Sequence, residues 1–205
     1  MNVAIRAMPT QAIAAHTTPP LIAAFDLATA TGVCFGPVGC KYPQLATWNT
    51  REGGKTRPAR FLWFFNRCHD FFDENQIDQI WYEAPLAVNI MNKIGTADET
   101  ITMLRGLIAI LELTAIRFGM KPDQIHAFDV QDAREHLTGK RRHGRTKSGR
   151  SLGKDEVMRV ARMLGVNCAN DNEGDAFAGF SYACALANPR IAHLVTPLWA
   201  GASST

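Results

Sequence analysis

Two acidic side chains close runs that are otherwise apolar: Asp26 ends LIAAFD and Glu83 ends IWYE. A carboxylate in such company loses hydration, and burial penalises its charged form unless a cation stands nearby. A third acidic group lies in NDNEGDAFAGF. There Asp171 and Asp175 are four residues apart and project from one helical face, whereas Glu173 points elsewhere. Singly, each acid reads as a solvated cap, with Asp171 an ordinary N-cap residue. Together they form an oxygen-rich set with no paired histidine or cysteine, which suits the hard cations Mg2+ or Mn2+. Two such ions about 3.5 to 4 Å apart are the usual device for in-line phosphodiester hydrolysis, one preparing the attacking water and the other stabilising the leaving oxygen.

A second feature carries the opposite charge. The stretch GKRRHGRTKSGRSLGK, Gly139 to Lys154, holds Lys140, Arg141, Arg142, Arg145, Lys147, Arg150 and Lys154 and no acid. Without these seven, 15 basic residues face 19 acidic ones, so the formal +3 of the chain is −4 plus a +7 segment. That asymmetry points to a polyanionic partner. No aromatic residue is interleaved with the cations, so the segment reads as a phosphate-tracking loop or as a merely solvated one, and not as a stacking platform. After Glu83, APLAVNIMNKIG offers Lys93 for a backbone phosphate, and apolar residues (Leu86, Val88, Ile90, Met91) for wedging into opened DNA or for burial against a second subunit. His126, His143 and His193 are isolated and read as structural or solvated.

The elements that must position these groups follow from periodicity. LIAAFD, a turn in LATATG, the apolar VCFG, and QLATWNT predict three consecutive strands. Pro58 suits a first helical turn, and Phe61, Leu62, Phe64, Phe65, Cys68, Phe71 and Phe72 recur at helical spacing. IDQIWYE predicts a fourth strand. Thr96 and Glu99 have capping-box spacing before a long apolar helix that ends near Gly119. QIHAFDV predicts a fifth strand leading directly into the basic loop, and helices are expected over 155–164 and 172–187. The order β-β-β-α-β-α-β-α-α implies an α/β protein with a mixed five-stranded sheet flanked by helices.

Bulk properties exclude other classes. With 46% hydrophobic and 20% charged residues, the 205-residue chain can bury a core and is not disordered. No run reaches the roughly 18 apolar residues of a membrane span. The N-terminal segment lacks the continuous apolar stretch of a signal peptide. Five cysteines with no CxxC pair argue against a disulfide framework or a zinc site, and reduced thiols in a cytoplasmic protein are expected. The expected organisation is a flexible arm over 1–19, one nuclease domain over 20–188, and a tail over 189–205.

The segments LIAAFDLATATGVCFG, IWYEAPLA, GKDEVMRVARMLG and DNEGDAFAGFSYA, in this order, resemble the RuvC-type Holliday junction resolvases of the ribonuclease H-like superfamily, particularly their phage and prophage relatives. The resemblance covers nearly the whole chain apart from its two tails. Its most specific parts are Asp26 with the downstream Thr31 and Gly32, the strand end at Glu83, and the D-N-E-x-D-A helix start. It departs in having Ala28 or its neighbours where a glycine is common, and in its long basic loop. The resemblance implies a homodimeric endodeoxyribonuclease that nicks two like strands of a four-way junction, using two Mg2+ or Mn2+ ions per site and no small-molecule cofactor. It implies that Asp26 bridges the metals, that Glu83 binds one, and that Asp171 and Asp175 complete the set with Lys154 on the scissile phosphate. A flap or RNA–DNA hybrid nuclease of the same fold shares this chemistry. A catalytically silent junction-binding protein would gain nothing from acids beside phosphate, and a sugar-kinase-like ATPase needs a second large domain.

Overall fold

The computed structural model describes residues 18–85, 98–141, 144 and 152–189. The chain begins with three strands: β1 (Leu21–Asp26), β2 (Ala30–Pro37) and β3 (Gln44–Asn49). They are joined antiparallel through short turns, as their alternating apolar patterns require. A 3-10 turn leads into helix α1 (Arg57–Glu74), with Pro58 in its first turn, where a missing N–H costs nothing. Strand β4 (Gln79–Glu83) then lies parallel to β1 on its far side. Helix α2 (Asp98–Arg117) crosses back, and β5 (Ile125–Phe128) adds parallel to β4. The sheet order is β3-β2-β1-β4-β5.

Side chains of successive strand residues point to opposite faces, and each face has its own core. Ala23, Phe25, Val33, Phe35, Ile80 and Tyr82 meet α1 and α2 through Phe64, Cys68, Phe71, Leu107 and Leu111. Edge-to-face ring contacts join Phe25, Phe35 and Trp48 to Phe71 at 5.0 to 5.9 Å. Ile22, Ala24, Cys34, Trp81 and Phe128 meet the C-terminal helices on the other face. All five cysteines are free thiols, and Cys34, Cys68 and Cys184 are buried as small core hydrophobes.

The C-terminal half differs from the sequence expectation in one element. The strand read as QIHAFDV stops at Phe128, and residues expected to run from it into a loop form a nine-residue helix, α3 (Val130–Thr138). Asp129 Oδ1 accepts from the Gln131 N–H (2.6 Å), and Gly139, left-handed at φ 73°, closes the helix. Ala133 and Leu137, one turn apart, bury its inner face. The basic segment therefore starts from a helix end. Helix α4 covers Leu152–Met163, which places Lys154 inside the helix, and α5 covers Asp171–Ala187. The Thr96 half of the expected capping box lies outside the described residues, as do most of the arm and tail.

Candidate active site

Strand geometry alone brings Asp26 and Glu83 together. In β1, Ile22 and Ala24 face the C-terminal helices, so Asp26, two residues on, shares their side; in β4, Trp81 does, and so Glu83 follows. The parallel register pairs Phe25 with Tyr82, and one further step sets Asp26 beside Glu83. The carboxylates thus stand at the C-terminal ends of adjacent parallel strands, the usual place for ligand sites in open α/β sheets.

Helix α5 supplies the third acid. Its N-cap is Asn170, whose Oδ1 accepts from the N–H groups of Asn172 and Glu173 (both 3.1 Å). Asp171, which the sequence offered as the cap, is relieved of that role and points to the site. Glu173 turns the other way, accepting from Thr47 Oγ1 (2.8 Å) and the Ala169 N–H (2.7 Å), and pins the helix start to β3. Gly32 makes the docking possible. It pairs with Asp26 across β1 and β2, and a Cβ there would lie 2.0 Å from the Asn172 carbonyl oxygen.

Two cations hold the acids on this helix. Lys154 Nζ donates to Asp171 Oδ2 at 2.8 Å and lies 3.8 Å from Asp175 Oδ2. Arg134 grips Asp175 bidentately, Nε to Oδ1 at 3.0 Å and Nη2 to Oδ2 at 2.8 Å, with Asp175 only 4% exposed. Sequence reading missed Arg134 because it lies on α3. The signals that reveal it are the Asp129 cap, Gly139 at the far end, and the apolar pair Ala133 and Leu137 between them.

Burial, and then the charges of Glu83 and Asp175, hold the Asp26 carboxyl well above the usual carboxylate range, with Lys154 acting in the opposite sense. Burial also raises Glu83, although its hydrogen bond with Asp26 and the positive charges of Arg134 and Lys154 draw it down. Two carboxyls so placed cannot both ionise cheaply without a cation between them. Among the described residues, no three His, Cys, Asp or Glu side chains are gathered closely enough to hold a metal ion. The donor chemistry nonetheless fits a hard divalent ion: Asp26 and Glu83 form half of such a site, and Asp175 or Asp171 completes it by sharing its present cation.

The remaining predicted contacts divide. Lys140 follows the end of α3, its N–H donating to Thr138 Oγ1 (3.3 Å). Arg141 is paired with Asp132 and Glu135 of α3, so part of the basic charge is offset where the segment begins. Arg142, Arg145, Lys147, Arg150 and Lys93 lie outside the described residues, as do Leu86, Val88, Ile90, Met91, His143 and His193. His126 stacks on Trp81 at 4.3 Å, away from the acids. No helix among the described residues is long and apolar enough to cross a membrane.

No protein-family model matches the chain, and neither does any curated protein. Solved structures do. RuvC of Thermus thermophilus is 14% identical with a TM-score of 0.58, the match covering 81% of this chain and 95% of that one. The same protein in complex with a Holliday junction substrate gives 13%, 0.59, 82% and 95%. The yeast mitochondrial Holliday junction resolvase Ydc2 gives 11%, 0.54, 88% and 82%. With three antiparallel strands extended by two parallel ones and helices on both faces, the chain has the ribonuclease H-like fold of the RuvC-type resolvases.

Proposed function

We infer that the chain is a metal-dependent endodeoxyribonuclease that resolves four-way DNA junctions in the cytoplasm, two copies making paired symmetric nicks. The observation that carries the reading is the juxtaposition of Asp26 and Glu83 at adjoining strand ends, facing Asp175 on α5. Likeness of fold to a RuvC seen with a Holliday junction substrate and to a yeast junction resolvase supports the choice of branched DNA.

In this reading Asp26, Glu83, Asp175 and Asp171 hold Mg2+ or Mn2+. Such ions, when bound, supply an activated water and neutralise the charge on the leaving oxygen. The protein's own groups do the rest. Arg134 fixes the Asp175 carboxylate in one orientation through a two-point grip, and Asn170 and Glu173 fix the helix that carries it. Lys154, within reach of both Asp171 and Asp175, places a positive charge where the scissile phosphate gains negative charge. Lys140, Arg141, Arg142, Arg145, Lys147, Arg150 and Lys93 follow the DNA backbone through phosphate contacts. A silent binder has no use for this arrangement, because acids beside phosphate weaken binding.

The test is Asp26→Asn, assayed on labelled four-way junction, flap, RNA–DNA hybrid and linear duplex in Mg2+ and in Mn2+. Cleavage of the junction is expected to vanish while junction binding in Ca2+ persists. Full residual cleavage would overturn the assignment of Asp26, and a parent enzyme that prefers flap or hybrid would replace the substrate.

A further inference from the structure

A cavity of about 530 Å³ opens one residue beyond Asp26, walled by Leu27 and its turn, by α1, by α2 and by the start of α5. Its floor is apolar, formed by Leu27, Met103, Leu104 and Leu107. Its rim is polar, with Arg57 and Arg60 on one side, and Glu99 of α2 and Asn172 of α5 on the other. Arg57, Glu99 and Asn172 all lie in the first turns of their helices, so three helix N-termini converge on this space. Such ends attract anions, and α1 has no acid in its first turn to offset Arg57. Arg60 is fixed at the wall by its Nε, which donates to the Gly54 carbonyl (3.1 Å).

An apolar floor beneath two guanidinium groups and two hydrogen-bonding side chains matches neither a bare anion nor a greasy ligand. It matches a nucleotide, with a flat base face, a base edge rich in donors and acceptors, and a phosphate on each side. The geometry points to a subsite that takes one unstacked nucleotide next to the cleaved phosphodiester. The base lies on Leu27, Leu104 and Leu107, the flanking phosphates meet Arg57 and Arg60, and Glu99 and Asn172 read the base edge. This rests on the nuclease reading of the Asp26 site. It adds a source of sequence preference that the basic segment, which touches only backbone, does not provide. Unstacking costs less at a branch point than in a duplex, so a junction is the substrate for which such a subsite works best.

The experiment places 2-aminopurine at each position flanking the cleaved bond of a four-way junction and binds it to the full-length Asp26→Asn chain in Ca2+. Fluorescence is expected to rise at one flanking position, reporting an unstacked base. The rise is expected to disappear when the cavity is narrowed by Leu104→Phe, a partly exposed position that tolerates the change. In the otherwise unaltered enzyme, Arg57→Gln with Arg60→Gln is expected to slow junction cleavage by about tenfold or more, as removal of charge-assisted hydrogen bonds implies. Glu99→Gln is expected to change which base is preferred there. An enzyme that cleaves junctions, shows no brightening and is indifferent to all three changes would overturn the subsite and leave the nuclease reading standing. An enzyme that neither binds nor cleaves any junction would overturn both.

Discussion

Replacing Gly32 by alanine is the smallest change that tests whether α5 must sit where it does. The added methyl meets the Asn172 carbonyl oxygen at 2.0 Å, its carbon at 2.4 Å and the Glu173 nitrogen at 3.0 Å. These are backbone atoms at the start of a helix pinned by Asn170 and Glu173, so no side chain can swing aside. Restoring ordinary contact requires β2 and the first turn of α5 to separate by ~1.4 Å, given that apolar contact begins near 3.4 Å. Asp171 and Asp175 ride on that turn, while Asp26 pairs with Gly32 itself. A misplacement of about 1 Å in a catalytic constellation costs on the order of 100-fold in rate. The same overpacking costs about 1 to 3 kcal/mol, a fall of about 2 to 12 °C in Tm for a domain of this size. The assay is single-turnover cleavage of a four-way junction at a temperature where circular dichroism shows the variant folded. Cleavage within about twofold of the parent by a folded Gly32→Ala enzyme would refute the claim that this approach sets the site.

Three further outcomes follow from the same geometry. Arg134→Met leaves Asp175 buried with its partner gone, so unfolding in urea is expected to show a destabilisation of about 3 to 5 kcal/mol; a change below about 1 kcal/mol would mean that Asp175 finds another cation. Asp26 binds its proton more tightly when folded than when unfolded, so the stability it contributes is fully present below the ordinary carboxylate pKa and is lost as pH rises through the raised value. In EDTA, Asp26→Asn is therefore expected to raise Tm at about pH 8 and to flatten the gain seen on acidifying toward about pH 5; a lowered Tm at the higher pH would contradict the stated burial and repulsion. Neutralising Arg142 and Arg145 is expected to reduce the salt slope of junction binding by about 0.9 for each phosphate that no longer has a cation beside it, and neutralising Arg141, already paired with Asp132 and Glu135, by less.

What the sequence revealed of this site, and what it hid, divides along a physical line. Asp26 and Glu83 were legible because a strand has period two and each acid closes an apolar run, so their positions follow from local pattern. The five strands and the long helices were legible for the same reason. Arg134 was hidden because its meaning is a contact across 41 residues with Asp175, and because its helix has just nine residues and two apolar positions to announce it. Asn170 and Asp171 are both good caps, and local pattern does not choose between them. The choice is made by tertiary structure, since Lys154 on α4 offers Asp171 a charge partner that Asn170 has no use for. The carboxylates of this site were thus specified locally and their cations by the fold. That division explains how so many acids can gather before any metal binds: Lys154 and Arg134 reach Asp171 and Asp175 from separate helices, leaving the Asp26 and Glu83 pair as the place where added positive charge gains most. A divalent ion should accordingly bind there first, and Asp26→Asn should weaken the stabilisation by Mg2+ or Mn2+ in thermal melts more than Asp171→Asn does. The reverse order would mean that the ion enters through the helix α5 acids instead.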